Sequence, residues 1–578
     1  MKQLSYNTIL KENRELGKKL QKDPFNILVV SNSVVENVRE FMEYELRLHG
    51  IYAVVDIGGF DNMLEDTLNV KHQILVIWLD TWNLTPDFYV NPERYNEGYL
   101  EDLEKNLRNK IDTILQNGSH VPLIVFNSFV PAMDYGFGFQ HSGAIKLSER
   151  LNRFVRNSSQ QNLFFFDTHF IFRKLSGKET FSKKQYYLFN SLYSNAFYHV
   201  YSHYFKFLAL GLTGHTKKVL VTDCDNTLWN GIIGEDGPTA LQMEFDSPKG
   251  RPFYEVQQMV VTLVKQGAVL CLCSKNNPEE VQNLLDNHPG IMIKEEDIVL
   301  KKINWKPKPE NIKEIASELN VGLDSIVFWD DSDFEVQMVR EMLPSVLSFK
   351  VPENIFDYPE FFQEQMGWFF KRQITREDKE KTIQYKLQQI RKKEKEKFSD
   401  VSDYLRSLSL EIIFEKKLDF HIDRIAQLTQ KTNQFNLSLK RYEASDILNF
   451  YEKDNFEVLA FRVKDRFGDY GLTGLCILKY EEYTAIIDTF LLSCRVLGRQ
   501  IEQAFLSFLI EKLKKENIKK LEAEYITTER NRQVAEFFIQ TGFQKKESEK
   551  DKIIFFCQPA QFEMFNDNLV KISYKHVT

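Results

Sequence analysis

Apolar and polar positions along this chain fall into two kinds of segment that take turns. Short runs rich in Val, Ile, Leu and Phe stand at Asn26–Ser31, Tyr52–Asp56, Ile74–Leu79, Pro122–Phe126 and Leu163–Phe166. Between them apolar residues recur every three or four positions, most plainly over Val35–His49, Leu100–Gln116 and Ala144–Asn157. The first pattern predicts buried strands and the second amphipathic helices. Their alternation predicts a parallel α/β unit over residues 24–215. A second such unit is predicted over 216–372, where the runs at Val219–Thr222, Val269–Cys273 and Ser325–Trp329 each end in small polar or acidic residues. Residues 373–407 hold the run Arg391-Lys-Lys-Glu-Lys-Glu-Lys397, which predicts a charged, solvated connecting helix. The pattern over 408–560 is richer in strands: Leu410–Phe414, Phe456–Val463, Gly471–Lys479 and Thr484–Leu491. A helix at Leu497–Lys514, a strand at Lys520–Glu524 and a helix at Asn531–Gly542 come after them.

Chemistry concentrates where the strands of the central block end. The first reads Val219-Leu-Val-Thr-Asp223-Cys224-Asp225-Asn-Thr227-Leu-Trp229. Along a strand, residues 223 and 225 project to one side and 224 to the other, unless a turn re-aims the backbone. Two carboxylates so close repel each other unless a cation lies between them, and a hard divalent ion such as Mg²⁺ suits oxygen ligands. A thiol between metal-binding acids serves packing poorly and nucleophilic chemistry well. Downstream, Ser274-Lys275-Asn276-Asn277 precedes Pro278 at a predicted helix start, where a hydroxyl and backbone N–H groups can hold a phosphate; an Asn helix cap is the alternative. Asn304-Trp-Lys306-Pro-Lys308 offers two lysines, either of which could balance phosphate and carboxylate charge. Ser325-Ile-Val-Phe-Trp-Asp330-Asp331-Ser-Asp333 supplies further acids. Ligands of open α/β sheets bind at this edge of the strands, so these segments are expected to converge on one Mg²⁺–phosphate site.

The D-x-D-x-T of Asp223–Thr227 resembles the first motif of the haloacid dehalogenase (HAD) phosphatases and phosphotransferases. The longer run Asp223–Gly237 resembles the FkbH-like branch, departing from its glycine-rich segment only at Asn230. Ser274 matches the second motif, Lys308 the third, and Asp330 and Asp331 the fourth, where Ser332 and Asp333 replace the usual Asn-Pro. The resemblance implies Asp223 as nucleophile toward phosphorus and Asp225 as general acid/base. It implies Mg²⁺ held by Asp223, Asp330, Asp331 and the Asp225 carbonyl, with Thr227, Trp229, Ser274, Lys275 and Asn276 bordering the phosphate. FkbH-like proteins are known as glyceryl transferases. The resemblance therefore implies transfer of the D-glyceryl group of 1,3-bisphosphoglycerate, through a thioester on Cys224, to the phosphopantetheine arm of an acyl carrier protein for polyketide-type assembly. The alternatives are a Mg²⁺-dependent HAD phosphatase or phosphotransferase with Cys224 inert, and a non-catalytic scaffold.

The flanking blocks resemble other families. Residues 24–215 are similar to the SGNH-like domain of FkbH-like proteins, but Ser31-Asn32-Ser33 replaces the G-D-S motif. Asp167 and His169 lie two apart rather than in D-x-x-H spacing, and His199 stands alone, so this block is expected to be non-hydrolytic. Residues 408–560 resemble a GNAT acyltransferase, with Arg495-Val-Leu-Gly498-Arg-Gln500 similar to its pyrophosphate loop except at Gln500. Thr432-Asn-Gln434-Phe-Asn436 also fits that family, as capping residues or as a groove wall. The expected fold class is thus α/β: a HAD-type Rossmannoid parallel sheet core, preceded by an SGNH-like α/β domain and followed by a GNAT-like α+β domain.

Composition bounds the rest. At 578 residues the chain is too long for one core, and 43% hydrophobic with 27% charged residues is ordinary for a globular protein. A net charge of −7 argues against nucleic acid as partner. No signal-peptide pattern and no bilayer-length apolar run stands in the sequence. Six cysteines at 224, 271, 273, 476, 494 and 557 form neither a disulfide framework nor a zinc pattern, so a reducing cytoplasm is expected. Cys271 and Cys273 read as core residues.

Overall fold

The structure is a computed structural model. It describes residues 5–20, 23–60, 62–83, 97–130, 143–372, 374–395, 397–398, 400–415, 422–432, 434–493, 495–528, 531–548, 552–562 and 569–575. Asn433 and Cys494 therefore lie outside the described residues. The chain divides into two compact units, Met1–Leu210 and Gly211–Thr578. No helix among the described residues is long and apolar enough to cross a membrane.

The first unit is built on a parallel sheet of β1 (Phe25–Ser31), β2 (Ala53–Ile57), β3 (Ile74–Trp78), β4 (Leu123–Asn127) and β5 (Leu163–Phe166), in the order β2-β1-β3-β4-β5. β3 and β4 are buried along their whole length, which is why they read as unbroken apolar runs. An N-terminal helix, Tyr6–Leu20, precedes the elements that the hydrophobic pattern predicts. At the strand ends, Ser33 donates its hydroxyl to Asp80 Oδ2 at 2.5 Å and Tyr193 donates to Oδ1 at 2.6 Å. His169 Nε2 lies 3.2 Å from the Phe129 carbonyl, and His199 lies 3.7 Å from Glu45.

The second unit holds two sheets. One is parallel: β6 (Val219–Thr222), β7 (Val269–Ser274), β8 (Ile298–Ile303), β9 (Ile326–Asp330) and β10 (Leu347–Lys350), in the order β10-β9-β6-β7-β8. One face buries Val219, Val221, Val269, Phe328, Cys271 and Cys273 against Ile312 and Ile315, so both cysteines are core, as their alternation in the strand predicts. β6 and β9 are neighbours in register, Val219 opposite Ile326 and Thr222 opposite Trp329. Their C-terminal ends therefore stand side by side.

The other sheet is mixed. Its strands are β11 (Leu410–Glu415), β12 (Phe435–Asn436), β13 (Phe456–Asp465), β14 (Gly468–Glu481), β15 (Thr484–Leu492), β16 (Lys520–Ile526), β17 (Gln544–Ser548), β18 (Lys552–Cys557) and β19 (Val570–Lys575). The path is β17-β18-β16-β15-β14-β13-β11-β19, with β15 and β16 parallel over only Thr484–Ile487. Beyond that point β15 pairs instead with β12, Phe435 opposite Leu492. Leu437 then bridges the gap, its N–H donated to the Phe490 carbonyl and its carbonyl accepting from Ile526. The helix expected from Leu497 starts at Ile501; Leu497–Gln500 is loop, and Gln500 takes φ +61.

The charged segment 373–407 corrects the solvated reading. It does form helices, Lys381–Lys395 and Val401–Leu408. However, Tyr385 packs into the parallel-sheet core, and Arg391 is buried. Its guanidinium clasps Asp465 through two hydrogen bonds of 2.6 and 2.8 Å and stacks on Tyr470 at 4.0 Å. Arg391 faces inward here because its charge finds a partner in Asp465.

Candidate active site

β6 stops at Thr222, so Asp223 and Cys224 follow the strand rather than end it. The Asp223 N–H is donated to the Trp329 carbonyl at 2.8 Å, which fastens it to the end of β9. The chain then turns sharply. Asn226 takes φ +50 in the left-handed region, where Asn is tolerated. Its side-chain oxygen accepts from the Gly231 N–H at 3.0 Å, and its carbonyl accepts from the Tyr358 hydroxyl at 2.6 Å. Gly231 itself sits at φ +112, a conformation L side chains rarely adopt. These contacts fold the segment after Asp225 back over the strand ends.

Three carboxylates meet there. Asp223, Asp330 and Asp331 each offer an oxygen, all within 4.8 Å of one another. Lys308, 3% exposed, opens the helix Lys308–Leu319 and brings Nζ to 2.9 Å from Asp223 Oδ1 while hydrogen-bonding Asp330 Oδ2. Burial works against the ammonium, but Asp223 and Asp330 outweigh it and hold its pKa above the ordinary value. Asp330 is pushed up to about 7, by burial first and then by the Asp223 charge. Asp331 is raised for the same two reasons. The other lysine of the loop, Lys306, turns away to Glu314 at 3.0 Å.

The carboxylate set passes a test for a divalent cation. Buried Asp223 Oδ1 lies near the ammonium but receives no hydrogen bond. All the offered ligands are oxygens, the donor type hard ions take. The Asp225 carboxylate is outside this set. Its Oδ1 accepts from Trp229 Nε1 at 2.8 Å and Ile233 N at 3.3 Å, and its Oδ2 from Asn276 Nδ2 at 2.9 Å. Burial is the main cause that raises its pKa, and these three hydrogen bonds oppose it.

Thr227 is fully buried, and its hydroxyl has no partner among the described residues. Trp229 is buried behind Asp225. Ser274 ends β7, and its Oγ accepts from Asn276 at 3.0 Å. The helix cap weighed for this segment is made by Asn277, whose side chain accepts from Glu279 N, which leaves Asn276 to Asp225. Lys275 pairs with buried Glu335. Cys224 has no exposed surface. Burial, then Asp223 and Asp225, push its thiol well above the ordinary value, while a hydrogen bond with Ser274 and the charge of Lys308 oppose this. The sulfur thus feels the charges of the centre but is closed to solvent. Asn226, Tyr358 and Glu335 were not among the predicted site residues. Asn226, a turn-former after D-x-D, carried a signal in sequence, as did Glu335, which stands at the closing Glu of the fourth motif.

No family model and no curated protein matches this chain. Among solved structures it is similar to the N-terminal part of BF1531 from Bacteroides fragilis, containing a phosphatase domain complexed with Mg. That likeness has a TM-score of 0.56 at 23% identity and covers 62% of this chain and 98% of that one. Parts of this chain also match the ribosomal-protein-S18-alanine N-acetyltransferase of Escherichia coli (TM-score 0.21, 14% identity, 28% of this chain and 97% of that one). A further match is the spermidine N-acetyltransferase of Vibrio cholerae (0.22, 15%, 26% and 97%). The first likeness is one of fold, and it agrees with the α/β architecture and its parallel-sheet cores.

Proposed function

We propose that this chain carries out aspartate-based phosphoryl chemistry with Mg²⁺, used to move a D-glyceryl group from 1,3-bisphosphoglycerate to an acyl carrier protein. The observation that carries the reading is the convergence of Asp223, Asp330, Asp331 and Lys308 at the joined ends of β6 and β9. Asp223, Asp330 and Asp331 would hold Mg²⁺, which when bound neutralises the carboxylates and the phosphate charge. The Asp223 carboxylate attacks the phosphorus of a phosphomonoester, and Asp225 hands a proton to the departing alkoxide and takes one from the incoming water. Lys308 steadies the negative charge that gathers on the transferring group.

Cys224 supplies the acyl half of the proposal. Its sulfur attacks the carbonyl of the acyl phosphate, the C–O bond to phosphate breaks, and the thiol proton leaves with the phosphate, which leaves a thioester. A carrier thiol then takes the acyl group and returns Cys224 as the thiol, one thioester exchanged for another. The position of Cys224 between Asp223 and Asp225, beside the carboxylate set, favours this reading. Its burial favours the alternative, a HAD phosphatase or phosphotransferase acting on a small phospho-metabolite with Cys224 inert. Incubation with 1,3-bisphosphoglycerate and Mg²⁺, with intact-mass analysis afterwards, separates the two. A covalent glyceryl adduct absent from Cys224→Ala supports transfer. Phosphate release that Cys224→Ala leaves intact, with no adduct, supports the phosphatase. Retention of all phosphate release in Asp223→Asn overturns both.

A further inference from the structure

We propose that the second unit carries an anion site, separate from the carboxylate centre, that takes a small phosphomonoester. A cleft of about 250 Å³ lies between the parallel sheet and the mixed sheet. Lys218 and Ser325 line it, and these residues immediately precede β6 and β9. Asp223 and Asp330 stand at the opposite ends of the same strands, so about 15 Å of strand separates the cleft from the carboxylates.

Arg495 carries the argument. It lines the cleft at 8% exposure. Its guanidinium makes one hydrogen bond among the described residues, Nε to Ser493 Oγ at 3.3 Å, and has no carboxylate partner there. A cation withdrawn from water without a counter-ion is costly, and the cost falls when an anion enters beside it. The guanidinium fork matches the paired oxygens of phosphate. The rest of the wall agrees in sign: Lys218, Lys381 and Arg424 face the cleft against Asp324 and Asp378. Asp378 is itself matched by Lys371 at 2.8 Å. The surplus of positive charge suits a dianion better than a single carboxylate. The volume lies at the small end of ligand pockets, which suits an ester of a few carbons.

The Gly498 amide, three residues beyond Arg495 in the loop that resembles a pyrophosphate binder, does not offer an equivalent place. The Gly498 N–H is donated to Glu502 Oε1 at 3.2 Å, so an internal carboxylate already meets the loop amide. The free edge of β15, where an extended ligand arm would add as a strand, is taken by β12 and Leu437. A phosphate in this part of the chain is therefore held by side chains at the cleft.

Calorimetry of the full chain in EDTA tests this, since without a divalent cation the three carboxylates repel phosphate and the cleft is read alone. Glycerol 3-phosphate is the probe and glycerate, a carboxylate without phosphate, the control. Saturable binding of glycerol 3-phosphate is expected, weakened about tenfold or more in Arg495→Gln and partly restored in Arg495→Lys. Circular dichroism checks that each variant folds, and Lys381→Gln, expected to weaken binding several-fold, stands in where Arg495→Gln does not. The proposal is overturned by no saturable binding to the wild type, or by undiminished binding to folded Arg495→Gln. It is overturned equally by glycerate binding as tightly as the ester, or by binding that Ser274→Ala abolishes.

Discussion

Replacing Lys308 by Met keeps most of the side-chain stem and removes its charge, and the outcome must depend on magnesium. The ammonium lies 2.9 Å from Asp223 and hydrogen-bonds Asp330, with 3% of its surface exposed. At an effective dielectric constant of about 20, each contact is worth ~6 kcal/mol of Coulomb attraction. Desolvation of the three charges offsets most of that, and breaking a buried pair by deleting one partner costs about 3–5 kcal/mol in practice. In EDTA, Lys308→Met leaves two buried carboxylates facing each other, so the full cost is expected. For a domain of this kind that corresponds to a fall in melting temperature on the order of 10 °C. A cation shared by Asp223, Asp330 and Asp331 supplies the missing positive charge, so saturating Mg²⁺ should recover more than half of the loss. Scanning calorimetry gives the melting temperatures, and amide exchange along β6 and β9 localises the effect. An equal loss with and without Mg²⁺ would refute the shared cation site. A loss below about 1 kcal/mol would refute the assigned role of the ammonium.

Three other outcomes rest on particular contacts. Burial pushes the Asp80 carboxyl up to about 6, against an ordinary 3.8; the folded state then holds that proton more tightly than the unfolded one. Its contribution to stability falls as pH rises from about 4 to about 6, by ~3 kcal/mol. Amide exchange of β1 and β3 should show that slope in the wild type and lack it in Asp80→Asn. Arg391→Met strands the buried Asp465 carboxylate and should cost about 3–5 kcal/mol, while the double change with Asp465→Leu loses markedly less; urea melts read both. Cys224, buried and with its thiol pushed up, should resist Ellman's reagent at pH 8 in the metal-free folded protein and react once unfolded. Peptide mapping checks this, and rapid labelling of Cys224 in the folded state would refute the burial.

Whether a feature is legible in the sequence depends on whether it is carried by one segment or by two. The strands β6, β7 and β9 were plain because burial on both faces forces unbroken apolar runs. The acids at their ends were plain because nothing in a strand's packing calls for Asp223, Asp225, Asp330 and Asp331 just there. The choice of Lys308 over Lys306 came from the resemblance to the third motif and was not legible in the residues themselves. Both occupy one loop, and only the start of the helix at Lys308 aims that side chain at Asp223 and Asp330 while Lys306 reaches Glu314. β12 is two residues long, and β17 is exposed along its length, so neither carries a hydrophobic period.

The segment 381–395 shows the same limit most sharply. Its inward stripe is Gln384, Tyr385, Gln388 and Arg391, spaced three and four apart as a helix requires, yet three of the four are polar. Hydrophobic periodicity cannot see such a stripe, because its partners are the Asp469 carbonyl and the Asp465 carboxylate, more than seventy residues downstream. A buried polar face is written in two distant places at once. Read from one of them, it is indistinguishable from a solvated charge run, and for the same reason Cys224 declared its neighbours in the sequence but not its distance from water.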